Sequence, residues 1–438
     1  MYRTMVRGAL ALVVAATALI VVTGGASASP AALPTLSFSN AQAIASPHGA
    51  TMTFKATLSA ASTSPVTVQY ATMDGTAAAG TDYVAASGTL TLAPGSTSGS
   101  VTVTLLPVTL GAGGSNKAFS LNLSNPSGAT LATPSVRGTI HPDVYDTNSP
   151  DAFANVVINP ASTVAYLTVP LRNQVAVLNL RTGTYSKPIP VGSNPHGIDI
   201  TPDGKTLFVC DTGGQTISKV AIATRKVTTI TTPPSFTNDT PLSIAVLNNG
   251  HAIYTTTFSG SGFGGHAYDL NLTTGASTVV SNLGIGGQTT EISPVSRSAD
   301  YSTLGLILGD DSGGTFDVYL AATGNSVSGS LNAFISSSSL DGDGSTMLVD
   351  GRYVIDAPAA ALLGTINDPG GSSVLNATGS TGYVLETQSI VKLLIKRFLT
   401  GKKISLPQRA NGGAQLALSP SGSILVAETV GGATIVEI

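Results

Sequence analysis

Charge is scarce in this sequence. Only 10% of its 438 residues are Asp, Glu, Lys or Arg, against about 25% in ordinary soluble domains. The 20 basic residues stand against 23 acidic ones, so no net positive field gathers phosphates, and a broad nucleic-acid surface is excluded. Cysteine is scarcer still. The one present, Cys210, excludes an intramolecular disulfide. Its place after Leu207-Phe208-Val209 marks a buried, inert thiol rather than a nucleophile. Long apolar runs are missing too: after residue 30 none approaches the ~18 residues that a membrane-spanning helix needs. The five histidines, His48, His141, His196, His251 and His266, make no zinc spacing, and His-Glu-x-x-His, a phosphate loop and a nucleophile elbow with a triad are all absent. Asp341-Gly342-Asp343-Gly344 fails as a calcium loop, because Thr346 and Arg352 stand where Gly and Glu are required.

What is abundant is short aliphatic strand sequence. Hydrophobic residues make up 42% of the chain and Gly numbers 49. The apolar stretches run four to seven residues, rich in Val, Ile and Thr and broken by Gly, Pro, Asn and Asp, which is the pattern of an all-β protein. Residues 1–28 read as a secretory signal peptide. Arg3 and Arg7 precede the apolar segment Ala9 to Val22, and Ala26-Ser27-Ala28 supplies a small-residue cleavage site. A retained anchor is the alternative, but 14 residues (9 to 22) are short for a span. No cysteine follows the segment, so a lipid anchor at that point is excluded. The expectation is a mildly acidic protein, secreted or held at the cell envelope.

Residues 33–143 alternate in the manner of half-buried strands, as in Val66-Thr67-Val68-Gln69-Tyr70 and Ser100-Val101-Thr102-Val103-Thr104-Leu105, and their spacing predicts a β-sandwich. Tyr70-Ala71-Thr72-Met73-Asp74-Gly75-Thr76-Ala77, Ala79-Gly80-Thr81-Asp82-Tyr83 and Gly88-Thr89-Leu90-Thr91-Leu92 resemble the Calx-beta family. So do Phe119-Ser120-Leu121 and Leu123-Ser124-Asn125-Pro126-Ser127-Gly128-Ala129. The resemblance implies an immunoglobulin-like sandwich with calcium bound by acids at one end, and Asp74, Asp82 and Asp143 match that pattern. Two other acidic positions of the family are lost: Ser39 to Gly49 holds no acid, and Leu110 to Asn116 replaces the acidic run before Phe119. Calcium wants six to eight oxygens, so the site is expected to be weak, and the same acids can instead shape turns.

Residues 144–152 form a connector and a candidate closing strand. Over 153–438 a turn between apolar strands recurs seven times. Examples are Ile158-Asn159-Pro160-Ala161-Ser162, Thr201-Pro202-Asp203-Gly204-Lys205 and Leu418-Ser419-Pro420-Ser421-Gly422. Units of about 41 residues predict a seven-bladed β-propeller. Val191-Gly192-Ser193-Asn194-Pro195-His196-Gly197-Ile198, followed by Thr201 to Val209, resembles the YVTN repeat family. That resemblance implies a lactonase-like or surface-layer propeller.

In a propeller, the loops that begin the inner strands and those that follow the second strands share one face. The sequence puts His196, Asp211, Asp310, Asp311, Glu386 and Glu428 there, with Glu291 as a further candidate. The first expectation is an exported binding protein, monomeric, with this rim facing a protein or glycan and the sandwich serving as an adhesive spacer. The alternative is a lactonase-like hydrolase that uses His196 or a carboxylate as base. Solvation of loops by ordinary polar residues explains the same acids without either function. Calcium is the one cofactor the sequence raises.

Overall fold

The computed structural model describes residues 32–438, apart from 112–113, 148–150, 234–238, 258–262, 285–287, 291–293, 309–313, 368–369, 411–413 and 431. Among the described residues the regular structure is strand, with two single-turn 3-10 segments. No helix there is long and apolar enough to cross a membrane.

The sandwich sets a four-stranded sheet containing Ala50–Leu58 and Ser98–Leu105 against a five-stranded sheet containing Val66–Met73, Lys117–Ser127 and Ser135–His141. Alternation does what the sequence predicts: Ala50–Leu58 buries Met52, Phe54, Ala56 and Leu58 and exposes the residues between them. These side chains meet Leu36, Tyr83, Leu121 and Ile140 in one core. Phe119 sits at its centre, stacked on Tyr83 and edge-on to Phe54. The first strand is shared between the layers. Thr35–Phe38 pairs in one sheet, and Ala41–Ile44 crosses to run parallel to Ser135–His141 in the other.

The rest of the chain forms seven four-stranded antiparallel sheets around an axis. Blades 1 to 6 span 155–190, 195–231, 241–279, 295–331, 338–365 and 373–405. Blade 3 carries an extra strand, Gln288–Thr290, on Phe263–Asn271. Blade 7 combines Leu416–Leu418, Ile424–Thr429 and Gly432–Glu437 with Val144–Asp146, which pairs antiparallel to Gly432–Glu437 from the outside. Position within a blade explains the hydropathy pattern. Second strands such as Thr206–Asp211 lie between neighbouring blades and are buried almost throughout, while outer strands such as Lys226–Thr231 are mostly exposed. Each pair of neighbouring blades encloses its own apolar cluster. The blade 7 to blade 1 cluster, with Ile158, Leu167, Val426 and Ile435, closes the ring.

The recurring turns lie between first and second strands. In blade 2, Thr201 Oγ1 donates to Asp203 Oδ1 at 2.6 Å, and Asp203 Oδ1 accepts the Lys205 amide at 3.1 Å. Gly204 takes φ +69° there, a conformation that disfavours any side chain. At the junction of the two domains Ile44 donates its amide to the Arg181 carbonyl at 2.8 Å and packs into the blade 7 to blade 1 cluster. The Glu437 amide donates to the Asp143 carbonyl at 2.9 Å.

Candidate ligand face of the propeller

Gly197 lets the inner strands of blades 2 and 3 approach closely. A Cβ on Gly197 would lie 2.5 Å from the Leu242 carbonyl oxygen of the next blade. What remains along the axis is a cavity of about 560 Å³, within the usual range for small-ligand sites. Its walls are rich in hydroxyls, among them Ser243, Ser296, Ser338, Ser339 and Ser373. Ser296 and Ser338 bond to each other at 2.8 Å. Ser339 Oγ is buried with no hydrogen-bond partner, an unmet demand that a ligand hydroxyl or water can satisfy.

The mouth where inner strands begin is formed by His196, Ser336, Ser337, Ser372 and Gln415. His196 is half-buried, its Nδ1 lies 3.0 Å from the Asn194 carbonyl, and its own carbonyl accepts Thr168 Oγ1 at 2.7 Å. The ring is thereby held at the mouth with Nε2 left for solvent or ligand. Ser336 and Ser337 are fixed from outside by Asp350, whose carboxylate accepts both amides and both hydroxyls at 2.8 to 3.2 Å.

The acids expected to share this rim have local partners instead. Asp211 is fully buried inside blade 2, where its Oδ2 accepts Thr216 Oγ1 and Ser218 Oγ, each at 2.9 Å. Burial pushes its carboxyl pKa up, against those hydroxyls. Gly192 makes room for it, since a Cβ there would sit 2.2 Å from the carboxyl group. Glu386 accepts Ser389 Oγ at 2.5 Å and holds Lys403 at 2.9 and 3.0 Å. Burial works against its ionised form, yet Ser389 and Lys403 bring its pKa below the ordinary value. Glu428 accepts the Gln415 amide at 3.2 Å, and burial raises its pKa. Asp310, Asp311 and Glu291 lie outside the described residues. Of the expected rim, His196 alone lines the cavity among the described residues. Asp211, Glu386 and Glu428 stand at or just beyond the ends of second strands, but hydroxyls, one lysine and a backbone amide engage them there.

The charge that does reach the axis was not expected. Asp199, on the inner strand of blade 2, accepts Arg297 Nε at 2.6 Å and Nη2 at 2.8 Å from blade 4. It also accepts the Ile200 amide and, from blade 3, the Val246 amide, both at 2.8 Å. The guanidinium stacks 3.5 Å over the Tyr301 ring. Burial opposes its charge, but the Asp199 carboxylate overrides this and raises the pKa. The pair ties three blades together near the turn end of the cavity and adds no net charge there. An acid between two isoleucines, Ile198-Asp199-Ile200, was the available signal: a carboxylate in a buried strand demands a partner.

In the sandwich, Asp74 accepts Tyr83 Oη at 2.5 Å and the Ala79 amide at 2.9 Å. Its pKa falls, chiefly through the Tyr83 bond. Asp82 is buried. It accepts the Ala78 amide at 2.9 Å and Lys117 Nζ at 2.6 Å. Asp143 caps a different loop, accepting the Leu110 amide at 2.7 Å and the Gly111 amide at 2.5 Å. Among the described residues no three His, Cys, Asp or Glu side chains gather closely enough to hold a metal ion. Calcium does not fit this donor set, because an ammonium group already stands on the buried carboxylate.

These features define a two-domain all-β protein, a Calx-beta sandwich followed by a β-propeller. Residues 31–143 match the Calx-beta domain family. No curated protein matches the chain. The propeller is similar to solved structures that share its fold: Kuenenia stuttgartiensis hydrazine synthase (TM-score 0.53, 16% identity, covering 66% of this chain and 96% of that one) and U3-55K (0.52, 15%, 66% and 96%). The Cps50 (Swd1) β-propeller domain of Myceliophteria thermophila is similar as well (0.51, 11%, 66% and 98%). At such identities the likeness concerns fold alone.

Proposed function

We infer that this chain is an exported interaction protein whose propeller takes a ligand at the axial mouth beside His196. A Calx-beta domain joined to a propeller is an arrangement of interaction modules, and the reading adds a place and a chemistry. The carrying observation is the hydroxyl-lined cavity, in which Ser339 Oγ lacks a partner while His196, Ser336, Ser337 and Gln415 surround the opening. The mouth offers hydroxyls, one imidazole and an amide, while the charged lining residues Arg297 and Asp341 are engaged by Asp199 and by Ser345 and Thr346, which suits a neutral, polyhydroxylated ligand such as a glycan end better than an ion. The sandwich then acts as a spacer.

The test is calorimetric titration of the mature chain with a panel of neutral oligosaccharides. A binder should lose up to about tenfold in affinity with Ser339→Val or His196→Ala, the usual cost of one polar contact. Asp203→Asn together with Asp343→Asn, on the opposite face, should leave binding intact. Binding abolished by the turn-face pair alone would refute the reading. Turnover of lactones that disappears in His196→Ala would favour the hydrolase alternative.

A further inference from the structure

The lateral wall of blades 5 and 6 carries a surface that the axial site does not use. Residues 373–409 hold six of the chain's 20 Lys and Arg residues, Lys392, Lys396, Arg397, Lys402, Lys403 and Arg409, against a single acid, Glu386. This basic blade belongs to a chain of net charge −3. Lys403 is committed to Glu386. Lys396, Arg397 and Lys402 are exposed, and none of them is ion-paired among the described residues.

Beside them stand leucines that a soluble edge would not keep. Leu362, Leu363 and Leu399 are 52%, 56% and 54% exposed. All three lie in the first three residues of outer strands, Ala361–Thr365 in blade 5 and Leu399–Ser405 in blade 6. The blade 5 strand comes close to the entry of the blade 6 strand: a Cβ on Gly364 would lie 2.4 Å from the ring of Phe398, the residue before Leu399. A register shift opposite Val354 and Ile355 leaves Leu363 as the extra residue of its strand. The segment Ile395–Arg397 connects the third and outer strands of blade 6, so Lys396 and Arg397 sit at the same end of the wall as the leucines.

Lysines alone on an outer strand would be a device against edge-to-edge pairing. Three half-exposed leucines beside them work in the opposite direction, since they create a contact surface. The combination has the chemistry of a membrane-surface element, with apolar side chains to enter the acyl boundary and a basic flank to meet anionic headgroups. A nucleic acid would ask for aromatic faces on which to stack bases, and the two rings of residues 373–409 face inward: Tyr383 is buried between blades 6 and 7, and Phe398 packs against the cluster between blades 5 and 6. We propose that the wall formed by Leu362, Leu363, Lys396, Arg397, Leu399 and Lys402 docks the protein on an anionic lipid surface.

The experiment is flotation of the full mature chain with phosphatidylcholine vesicles, with and without phosphatidylglycerol, at low and high salt. Binding should require the anionic lipid and weaken with salt. Lys396→Gln with Arg397→Gln should lower the partition coefficient roughly thirtyfold, given ~1 kcal/mol per basic residue near such a surface. Leu362→Ser with Leu363→Ser should lower it comparably, with an unchanged melting curve. Lys226→Gln, on the outer strand of blade 2, should change nothing. Absence of a preference for phosphatidylglycerol, or undiminished binding by the charge variant, would overturn the proposal. So would capture of polyglutamate or single-stranded DNA by a chain that ignores the vesicles.

Discussion

The sandwich and the propeller complete their sheets in different ways. The sandwich draws every strand from Thr35–His141 and packs two layers over one core. The propeller distributes its apolar residues among separate interblade clusters, and its last blade takes its outer strand from Val144–Asp146, before the first blade begins. Thr147 Oγ1 reinforces this seam by donating to the Ala433 carbonyl at 2.8 Å, across 286 residues of sequence. One domain is closed by local pairing and the other by a long-range clasp. The three-residue strand that closes the ring is also the strand that leaves the sandwich, so the domains share a structural part as well as a surface.

The largest effect should come from removing that clasp. A chain beginning at Asn155 leaves Gly432–Glu437 as a bare edge and uncovers Val436 and Ile435, both fully buried in the intact protein. It should aggregate, whereas residues 32–143 alone should stay monomeric and melt cooperatively. Size-exclusion chromatography reads both outcomes. A monomeric truncated propeller with the stability of the full chain would mean that interblade packing alone holds the ring.

Next in size is the axial ion pair, the propeller's counterpart to the clasp because it joins three blades. Arg297→Met leaves Asp199 buried with two amides and no countercharge. The expected loss is about 3–5 kcal/mol in denaturant unfolding. Asp199→Asn with Arg297→Met should recover part of it, because the uncompensated charge is gone. A cost below about 1 kcal/mol for the single change would show that water reaches and screens the pair.

How far the sequence carried differs between the domains for the same reason. Period-two alternation and turn chemistry are local, so the strands of the sandwich and the turns at Asn159, Asp203 and Gly422 could be read directly. The fate of a charge depends on residues distant in sequence. Asp211 occupied the expected strand end, yet Ser218 on the neighbouring strand turned it inward. Asp199, between two isoleucines, announces locally that it needs a partner, but the partner, Arg297, lies 98 residues away. Asp74 and Asp82 could be assigned to turns from their own segments, and the Asp74 to Ala79 and Asp82 to Ala78 bonds are of that kind. Lys117, which decides the chemistry of Asp82, sits 35 residues on.

The domain junction supplies a smaller, pH-dependent effect. Burial at the junction raises the Glu437 carboxyl to about 6, with Asp143 adding and with Ser46, Arg181 and His48 opposing. A folded-state pKa above the ordinary 4.5 means that the protonated form favours the fold. Its contribution is fully present below about 4.5 and is lost as pH rises through about 6. Solvent still reaches part of the carboxyl, which limits the effect to about 1 kcal/mol. Glu437→Gln should flatten the change in melting temperature between pH 4.5 and 7. An unchanged pH profile would place the sensitivity elsewhere.

The smallest effect concerns calcium and tests the sandwich on its own terms. A cation is already present at the buried acid: Lys117 Nζ stands 2.6 Å from Asp82 Oδ1, with 31% of the lysine side chain exposed. Adding a divalent ion would require displacing that ammonium group, and Asp143 is engaged with the 110–111 loop and contributes nothing. A ligand stabilises a fold only when its concentration exceeds its dissociation constant, so melting curves with chelator and with millimolar calcium should overlay. Lys117→Ala should cost no more than about 1 kcal/mol, because the ammonium group is partly solvated. It should also uncover a slight calcium-dependent rise in melting temperature, since the Asp82 carboxylate is then left without a countercharge. A clear calcium shift in the unaltered protein would mean that the lysine yields its place readily. No calcium response in Lys117→Ala would mean that the surrounding oxygens, and not the lysine, exclude the ion.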